Sequence, residues 1–203
     1  MRKPREPKLR QLDEHAFLRR LDPILQVYAA AMRPPGEQLP GRHSIMQRHT
    51  TYPRFRAFAV ERPRPLPGVP GSVRGFAYGF HGESGQWWHD VVRRALTEQD
   101  GPEHAAYWLD DAFEVAELHV HPDDQGQGHG RTLLNALCEG RLETTVVLST
   151  LDLDRQSPAR RLYRSVGLRD LLVDFEFPGG GPPYAVMGGT LPLAPYPAGS
   201  SNS

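Results

Sequence analysis

The stretch that decides the fold is FEVAELHVHPDDQGQGHGRTLLNAL, residues 113–137. It begins with a strand pattern, passes through a turn with alternating glycines, and continues as a helix with leucines on one face. The glycines Gly126, Gly128 and Gly130 lie where this helix begins. Glycines let backbone N–H groups approach a ligand closely, and the first amides of a helix are unpaired and electropositive. The turn therefore predicts an anion-binding site, with a tight strand-to-helix connection as the alternative.

The strand before this turn changes face along its length. Its apolar residues occupy odd positions at first and even positions later, namely Phe113, Val115, Leu118 and Val120. A regular strand with a period of two cannot bury both pairs on one face, whereas a β-bulge near residues 116–117 would allow it. The bulge would turn three polar residues to one face: Glu114, Glu117 and His119. The alternative is a strand covered on both faces, with two exposed carboxylates at its rim.

Outward from this stretch, the sequence predicts a mixed α/β sheet. Apolar spacing of three and four predicts a helix over residues 17–32, and alternation predicts an antiparallel strand pair over 55–60 and 73–80. Residues 112–151 have the order and length of a right-handed strand–helix–strand crossover, which makes their two strands parallel neighbours. The remaining predicted elements are helices over 44–48, within 83–107 and over 158–166, and strands over 171–177 and 184–190.

Length and composition set limits on the class of protein. A chain of 203 residues fits one domain, and a single cysteine, Cys138, excludes a disulfide-stapled fold and favours a reducing, cytoplasmic environment. The 24 Lys and Arg residues balance 24 Asp and Glu residues, so net charge predicts neither nucleic acid nor an anionic membrane as partner. We expect a basic N-terminal tail over residues 1–10, one domain over 11–191 with an insertion at 83–107, and a disordered tail over 192–203.

Two segments carry a resemblance to a known family. The hexapeptide QGQGHG, residues 125–130, resembles the Arg/Gln-x-x-Gly-x-Gly/Ala signature of the GNAT superfamily of acyl-CoA-dependent N-acetyltransferases. The segment QSPARRLYRSVGL, residues 156–168, is similar to the second signature of that family, Asn-x-x-Ala-x-x-Leu-Tyr-x-x-x-Gly-Phe. Gln156 stands where the family has Asn, and Leu168 stands where it has Phe. Other phosphate loops do not fit, because the turn has neither a Gly-Lys-Ser/Thr ending nor G-x-G-x-x-G spacing.

The resemblance implies a fold and a cofactor site. The fold is a mixed, mostly antiparallel central sheet with helices on both faces and a splayed parallel strand pair. Acetyl-CoA is the implied co-substrate, and no metal is implied. Its pyrophosphate would lie on the glycine loop, which here comprises Gln125, Gly126, Gln127, Gly128, His129, Gly130 and Arg131. Its pantetheine arm would hydrogen-bond to the strand backbone at Leu118, His119 and Val120, with Gln156 contacting the cofactor from the second signature.

The implied chemistry is acyl transfer from a thioester to an amine. An alkylamine with a pKa of about 10.4 must lose a proton before it attacks, and a carboxylate can accept that proton. Glu117 is the predicted base and Glu114 the reserve, with a solvated rim charge as the alternative for either. By the family pattern, Tyr163 donates a proton to the departing thiolate, with a structural tyrosine as the alternative. Arg160 is expected on the outer face of the same helix.

The sequence does not specify the acceptor, which we expect to be the amine of a small molecule or peptide. A non-catalytic acyl-CoA-binding or regulatory module is the alternative function, and an interaction protein that keeps only the fold is a third. The three tryptophans Trp87, Trp88 and Trp108 either line an acceptor pocket or attach the 83–107 insertion to the sheet. Oligomeric state is not encoded in a readable motif, and a homodimer is one option.

Overall fold

The computed structural model describes residues 6–63 and 71–194. Residues 1–5, most of the Pro/Gly connection before Gly71, and the C-terminal tail from residue 195 lie outside these ranges. The strands are β1 (Lys8–Leu12), β2 (Arg56–Arg62), β3 (Ser72–Gly82), β4 (Ala112–Val120), β5 (Thr145–Leu151), β6 (Arg169–Phe175) and β7 (Tyr184–Thr190). The α-helices are α1 (Glu14–Leu18), α2 (Leu21–Met32), α3 (Leu39–His49), α4 (Trp87–Asp100), α5 (Pro102–Leu109), α6 (His129–Cys138) and α7 (Pro158–Ser165).

The seven strands form a mixed sheet in the order β1-β2-β3-β4-β5-β7-β6. The sheet is mostly antiparallel, and β4 and β5 form the predicted parallel pair. This confirms the predicted mixed α/β fold class. No helix in residues 6–63 or 71–194 combines the length and the apolar character needed to cross a bilayer.

The chain divides into two compact units that interleave in sequence. Of the described residues, the first unit contains 6–63, 71–81 and Val115–Leu137, and the second contains Gly82–Glu114 and 138–194. Strand β4 therefore contributes its first three residues to the second unit and its remaining residues to the first. The expected single domain over 11–191 stays a prediction.

In the first unit, the predicted helix over residues 17–32 is two helices. Asp13 caps α1 by accepting a hydrogen bond from the N–H of Ala16 at 2.7 Å, and α2 then begins at Leu21 with Pro23 in its first turn. Proline is tolerated there because the first N–H groups of a helix have no intrahelical partner. The apolar faces of these helices join residues of α3, β2 and β3 in a core that includes Phe17, Ile24, Met46, Phe76 and Tyr78.

The edge of this unit corrects one expectation about the N-terminus. The basic segment 1–10 was expected to be a tail, but Lys8–Leu12 forms β1 and pairs antiparallel with β2, from Lys8↔Glu61 to Leu12↔Ala57. Four of the five β1 residues are exposed, which hides the strand from a hydrophobicity pattern. Charged side chains on an exposed edge strand also discourage pairing with another molecule. The antiparallel pairing of β2 with β3 follows the prediction.

In the second unit, the insertion forms α4 and α5. Its core joins Val92 and Leu96 of α4 and Trp108 of α5 to residues of β5, β6 and β7. Trp108 is 2% exposed, and Trp88 Nε1 donates to Ser149 Oγ of β5 at 3.2 Å. These contacts attach the insertion to the sheet, as one of the two predicted roles of the tryptophans requires. Trp87, in contrast, is 56% exposed.

Helix α7 corrects the predicted orientation of Arg160. The side chain was expected to face outward, but it is fully buried. Arg160 forms ion pairs with Asp152, which follows β5, and with Asp170 of β6 at 2.8 Å. Because these two carboxylates surround it, the guanidinium keeps favourable electrostatic partners inside the unit. The helical charge pattern alone could not reveal them.

Candidate functional site

The glycine loop is open on the side that a ligand would approach. Gly126 and Gly128 have φ angles of +75° and +82°, in the left-handed region that favours glycine. A Cβ atom at either position would meet no atom within 4 Å. Glycine is therefore favoured at both positions by the backbone conformation, and the space that a side chain would occupy is empty of other atoms. Helix α6 begins directly afterwards, so its unpaired first amide groups follow an exposed glycine turn, an arrangement that proteins use to hold anions.

The loop is folded back on itself by two glutamine side chains. Gln125 Nε2 donates to the carbonyl oxygen of Val120 at 3.1 Å, and Gln127 Nε2 donates to that of Asp123 at 3.4 Å. Residues 125–128 are exposed, whereas the next three predicted cofactor residues are partly buried: His129, Gly130 and Arg131. The side chains thus shape the loop and leave its backbone as the surface presented to a ligand.

Strand β4 places Glu117 in a buried ion pair. Its carboxylate, 8% exposed, accepts a hydrogen bond from Arg42 Nη1 of α3 at 2.9 Å and lies 2.5 Å from His119 Nε2. The Arg42 guanidinium also lies 5.1 Å above the ring of Tyr28, a cation–π contact. Glu117 is therefore surrounded by partners from α2, α3 and its own strand.

Two opposing effects set the pKa of Glu117. Burial raises it, but the hydrogen bond and charge of His119, followed by the charge of Arg42, lower it by more than burial raises it, so the net result is a lowered pKa. Glu117 is consequently ionised at neutral pH. The alternative interpretation, an exposed carboxylate at the strand rim, is wrong for Glu117 and also for Glu114, which is 4% exposed.

The contacts of β4 support the predicted bulge. Ala116 packs against the core that contains Tyr28 and Phe76, and the ring of His119 lies 5.3 Å and 5.6 Å from the rings of the same two residues. In a regular strand, residues three apart point to opposite faces. An extra residue between Ala116 and His119 would bring both to the same face, as a bulge near residues 116–117 requires.

His49 adds a neutral imidazole to this region, and sequence patterns gave no signal for it. Burial lowers its pKa to about 4, with the charge of Glu117 acting in the opposite direction. Its Nδ1 atom lies 3.0 Å from the hydroxyl oxygen of Tyr78. At neutral pH, His49 is therefore uncharged. Its tautomer determines which of the two groups donates in this hydrogen bond.

In the second unit, Glu114 is a buried carboxyl group of opposite character to Glu117. Desolvation raises its pKa to about 8, and within residues 6–63 and 71–194 its Oε2 atom has no hydrogen-bond partner. Glu114 pairs with Val147 at the last position of the parallel ladder between β4 and β5, which comprises three residue pairs. Because its pKa is about 8, the Glu114 carboxyl group is protonated for most of the time at pH 7.

Tyr163 and Gln156 also lie in the second unit. Tyr163 is buried on α7 at 6% exposure, and its carbonyl oxygen accepts hydrogen bonds from the N–H groups of Val166 and Leu168. Gln156 is exposed in the turn between β5 and α7, where its N–H donates to Asp154 Oδ1 at 2.8 Å. The roles predicted for these two residues stay predictions.

Comparison with known proteins agrees with this geometry. Residues 94–169 match the family described as the GNAT acetyltransferase domain. A GCN5-like protein acetyltransferase of Mycobacterium tuberculosis is 40% identical over 121 residues, which are 59% of this chain and 59% of that protein. The match therefore spans less than two thirds of the relative's length. Both findings confirm the resemblance to the GNAT superfamily.

Solved structures show the same fold. A GNAT-family protein from Desulfovibrio desulfuricans superimposes with a TM-score of 0.60 at 12% identity, covering 90% of this chain and 97% of the other. A Salmonella typhimurium protein determined with its cofactor acetyl-CoA gives a TM-score of 0.57 at 18% identity, covering 92% of this chain and 95% of the other. At such identities the likeness concerns the fold alone.

Proposed function

We propose that this chain is an N-acetyltransferase that moves an acetyl group from acetyl-CoA to a primary amine, because its residues 94–169 match the GNAT acetyltransferase domain. The observation that carries the proposal is the open glycine loop, which has left-handed Gly126 and Gly128 immediately before α6. The acceptor is the amine of a small molecule or a peptide. The Mycobacterium tuberculosis relative, named a protein acetyltransferase, supports a peptide or protein amine.

The cofactor would be held chiefly by backbone groups. When bound, acetyl-CoA supplies the thioester whose acetyl group is transferred. The loop from Gln125 to Arg131 would bind the pyrophosphate through its amides and the positive end of the α6 dipole. The backbone of residues 118–120 would bind the pantetheine arm, and it lies beyond the last residue pair of the parallel ladder. For Gln156, which is exposed before α7, the family resemblance implies a further cofactor contact.

The two buried carboxyl groups differ in how readily each could accept a proton from the amine. Transfer from an ammonium with a pKa of about 10.4 to Glu114, with a pKa of about 8, is uphill by roughly 3 kcal/mol. Transfer to a carboxylate with an ordinary pKa of about 4.5 would be uphill by roughly 8 kcal/mol. Glu117 is still less basic, because His119 and Arg42 stabilise its charge. These values make Glu114 the more basic of the two carboxyl groups, whereas Glu117 is the base predicted from sequence.

Tyr163 is proposed to stabilise the leaving thiolate. A phenol with a pKa of about 10 gives its proton to a thiolate with a pKa of about 8.5 at a cost of roughly 2 kcal/mol. Tyr163 can therefore act by hydrogen-bonding the thiolate without complete proton transfer. Tyr163→Phe removes only the hydroxyl, so we expect a lower kcat with little change in acetyl-CoA affinity.

A transfer assay tests the proposal directly. Purified protein is incubated with acetyl-CoA and, in separate reactions, a polyamine, an amino sugar, a lysine-containing peptide and a peptide with a free N-terminus. Mass spectrometry detects acetylated product, and a thiol reagent detects released CoA. We expect product with at least one acceptor class. Binding of acetyl-CoA without transfer to any of them would favour the non-catalytic module instead.

Two carboxyl variants then identify the base. If Glu114 accepts the proton, kcat/KM for the amine rises through an apparent pKa near 8, and Glu114→Gln removes this rise. Glu117→Gln would preserve that pH profile. The opposite pattern would identify Glu117 as the base. Glu98→Gln, which removes an exposed carboxylate from α4, is the matched control and should leave the profile unchanged.

A further inference from the structure

We propose that Asp124 is the positioning residue of the glycine loop, holding it in the conformation that binds the diphosphate of acetyl-CoA. The inference rests on the proposed function and concerns a side chain that neither the sequence motif nor the family resemblance singles out. Asp124 is the last residue before Gln125, where the loop begins, and its side chain is fully buried. A buried carboxylate beside an anion-binding loop requires a physical explanation, because its negative charge repels the negatively charged ligand.

Both carboxylate oxygens of Asp124 are bound by arginines from neighbouring strands. Arg62, the last residue of β2, donates from Nη2 to Oδ1 at 2.6 Å. Arg74, near the start of β3, donates from Nε to Oδ2 at 2.6 Å. The two guanidinium groups compensate the buried charge and tie the start of the loop to two strands.

The turn that precedes the loop is tied to the same strand through its backbone. The N–H of His121 donates to the carbonyl oxygen of Arg74 at 2.8 Å, and the N–H of Asp124 donates to that of His121 at 2.9 Å. The Arg74 side chain also lies 3.2 Å from His121 Nδ1. Arg74 thus contacts both the beginning and the end of this short turn.

The far end of the loop is held by the first turn of α6. The N–H and the hydroxyl group of Thr132 both donate to the carbonyl oxygen of Gly128, at 3.1 Å and 3.2 Å. Residues 125–128 between the two attachments are exposed, and two of them are glycines with broad conformational freedom. Asp124 therefore limits the conformations available to a segment that would otherwise be poorly constrained.

Electrostatics and positioning make opposite predictions for the loss of this charge. Asp124→Asn removes a negative charge near the proposed diphosphate site, so electrostatics alone predicts tighter CoA binding. If the carboxylate positions the loop, the same variant loses part of its pairing with Arg62 and Arg74, and CoA binding weakens. The sign of the change therefore distinguishes the two effects.

The test is calorimetric titration of the full chain with CoA. We expect Asp124→Asn to weaken binding on the order of tenfold, the scale of one lost charge-assisted hydrogen bond. Asp123→Asn is the comparison variant, because it removes the same charge from the preceding residue, whose side chain is 76% exposed and lies only 3.5 Å from Arg74 Nη2. It should leave affinity unchanged or slightly increased. Equal or tighter CoA binding by Asp124→Asn would overturn the inference.

A truncated donor separates positioning from general damage to the fold. Acetylpantetheine carries the thioester but no diphosphate, so its rate of transfer should be the same in wild type and Asp124→Asn. An equal loss with both donors would contradict a role specific to the diphosphate. If wild type itself binds no CoA, the result contradicts the proposed function, whereas a loss of binding confined to the variants does not.

A milder variant keeps the test decisive if Asp124→Asn does not fold. Arg62 is 41% exposed, and Arg62→Lys conserves the charge but not the planar guanidinium that pairs with Asp124. We expect a smaller loss of CoA affinity in the same direction, with an unchanged thermal unfolding midpoint. Unaltered affinity in this variant would also overturn the inference.

Discussion

Replacing Glu114 by glutamine should stabilise the protein increasingly as pH rises from 5 to 9. Burial raises the pKa of this carboxyl from 4.5 to about 8. Because the folded pKa lies above the unfolded one, the favourable contribution of the protonated group is fully present below pH 4.5. It decreases as the unfolded chain ionises and is lost as pH rises through 8.

The pKa difference sets the magnitude of this effect. The difference between a pKa of 4.5 in the unfolded chain and about 8 in the folded chain corresponds to an upper bound of about 5 kcal/mol in unfolding free energy. Glutamine cannot ionise, so the variant avoids this loss. Its advantage over wild type should grow from about 1 kcal/mol at pH 5 to about 5 kcal/mol at pH 9.

Urea unfolding at several pH values between 5 and 9 measures this difference. Wild type, Glu114→Gln and the exposed control Glu98→Gln would be followed by circular dichroism. Only the difference between wild type and Glu114→Gln should depend strongly on pH. Parallel pH curves for these two proteins would refute the argument, because they would mean that Glu114 ionises with an ordinary pKa in the folded chain.

Two further predictions concern packing in the second unit. Asp152→Ala removes a partner of the fully buried Arg160, so we expect the unfolding free energy to fall by about 3–5 kcal/mol in urea titrations. A loss below about 1 kcal/mol would show that the pair contributes little. In Gly188→Ala, the new Cβ would lie 2.7 Å from Leu171 Cδ1, and overpacking should cost about 1–3 kcal/mol. Gly41→Ala in α3, where no atom lies within 4 Å, should instead stabilise by about 0.5–1 kcal/mol, and destabilisation there would contradict the contrast.

The segments predicted well from sequence are those with local signals. In β4, the glycine loop and α6, apolar alternation, glycines and a leucine face follow one another within 27 residues, from Ala112 to Cys138. Each signal acts over a few residues, so the sequence alone is sufficient to place these elements. The antiparallel pairing of β2 with β3 and the parallel pairing of β4 with β5 were predicted for the same reason.

The incorrect predictions arose where distant residues decide the structure. Arg160 was placed outward because a charged residue on an amphipathic helix usually faces solvent, but carboxylates before α7 and in β6 surround it. Strand β1 lacks apolar alternation and is defined by its pairing with β2. Neither effect leaves a mark on the local sequence.

In the candidate site, too, the features with local sequence signals were predicted and those that depend on distant residues were not. Its backbone component, the glycine loop, was predictable, whereas the environment of its side chains was not. Arg42 lies 75 positions from Glu117 in sequence, yet it helps to lower the pKa of that carboxylate. The burial that raises the pKa of Glu114 depends on the packing of the second unit. The difference in pKa between these two carboxyl groups therefore depends on the fold, and the local sequence does not show it.

The measurement that tests the central claim most directly is thermal unfolding with and without acetyl-CoA. At a concentration of 100 times the dissociation constant, ligand binding should add about 2.7 kcal/mol and raise the midpoint by about 5–10 °C. Gly128→Val should lose this shift, whereas Gly140→Val, at another left-handed glycine with open space around it, should retain it. An unchanged wild-type midpoint at saturating acetyl-CoA would contradict the proposal that this glycine loop binds the cofactor.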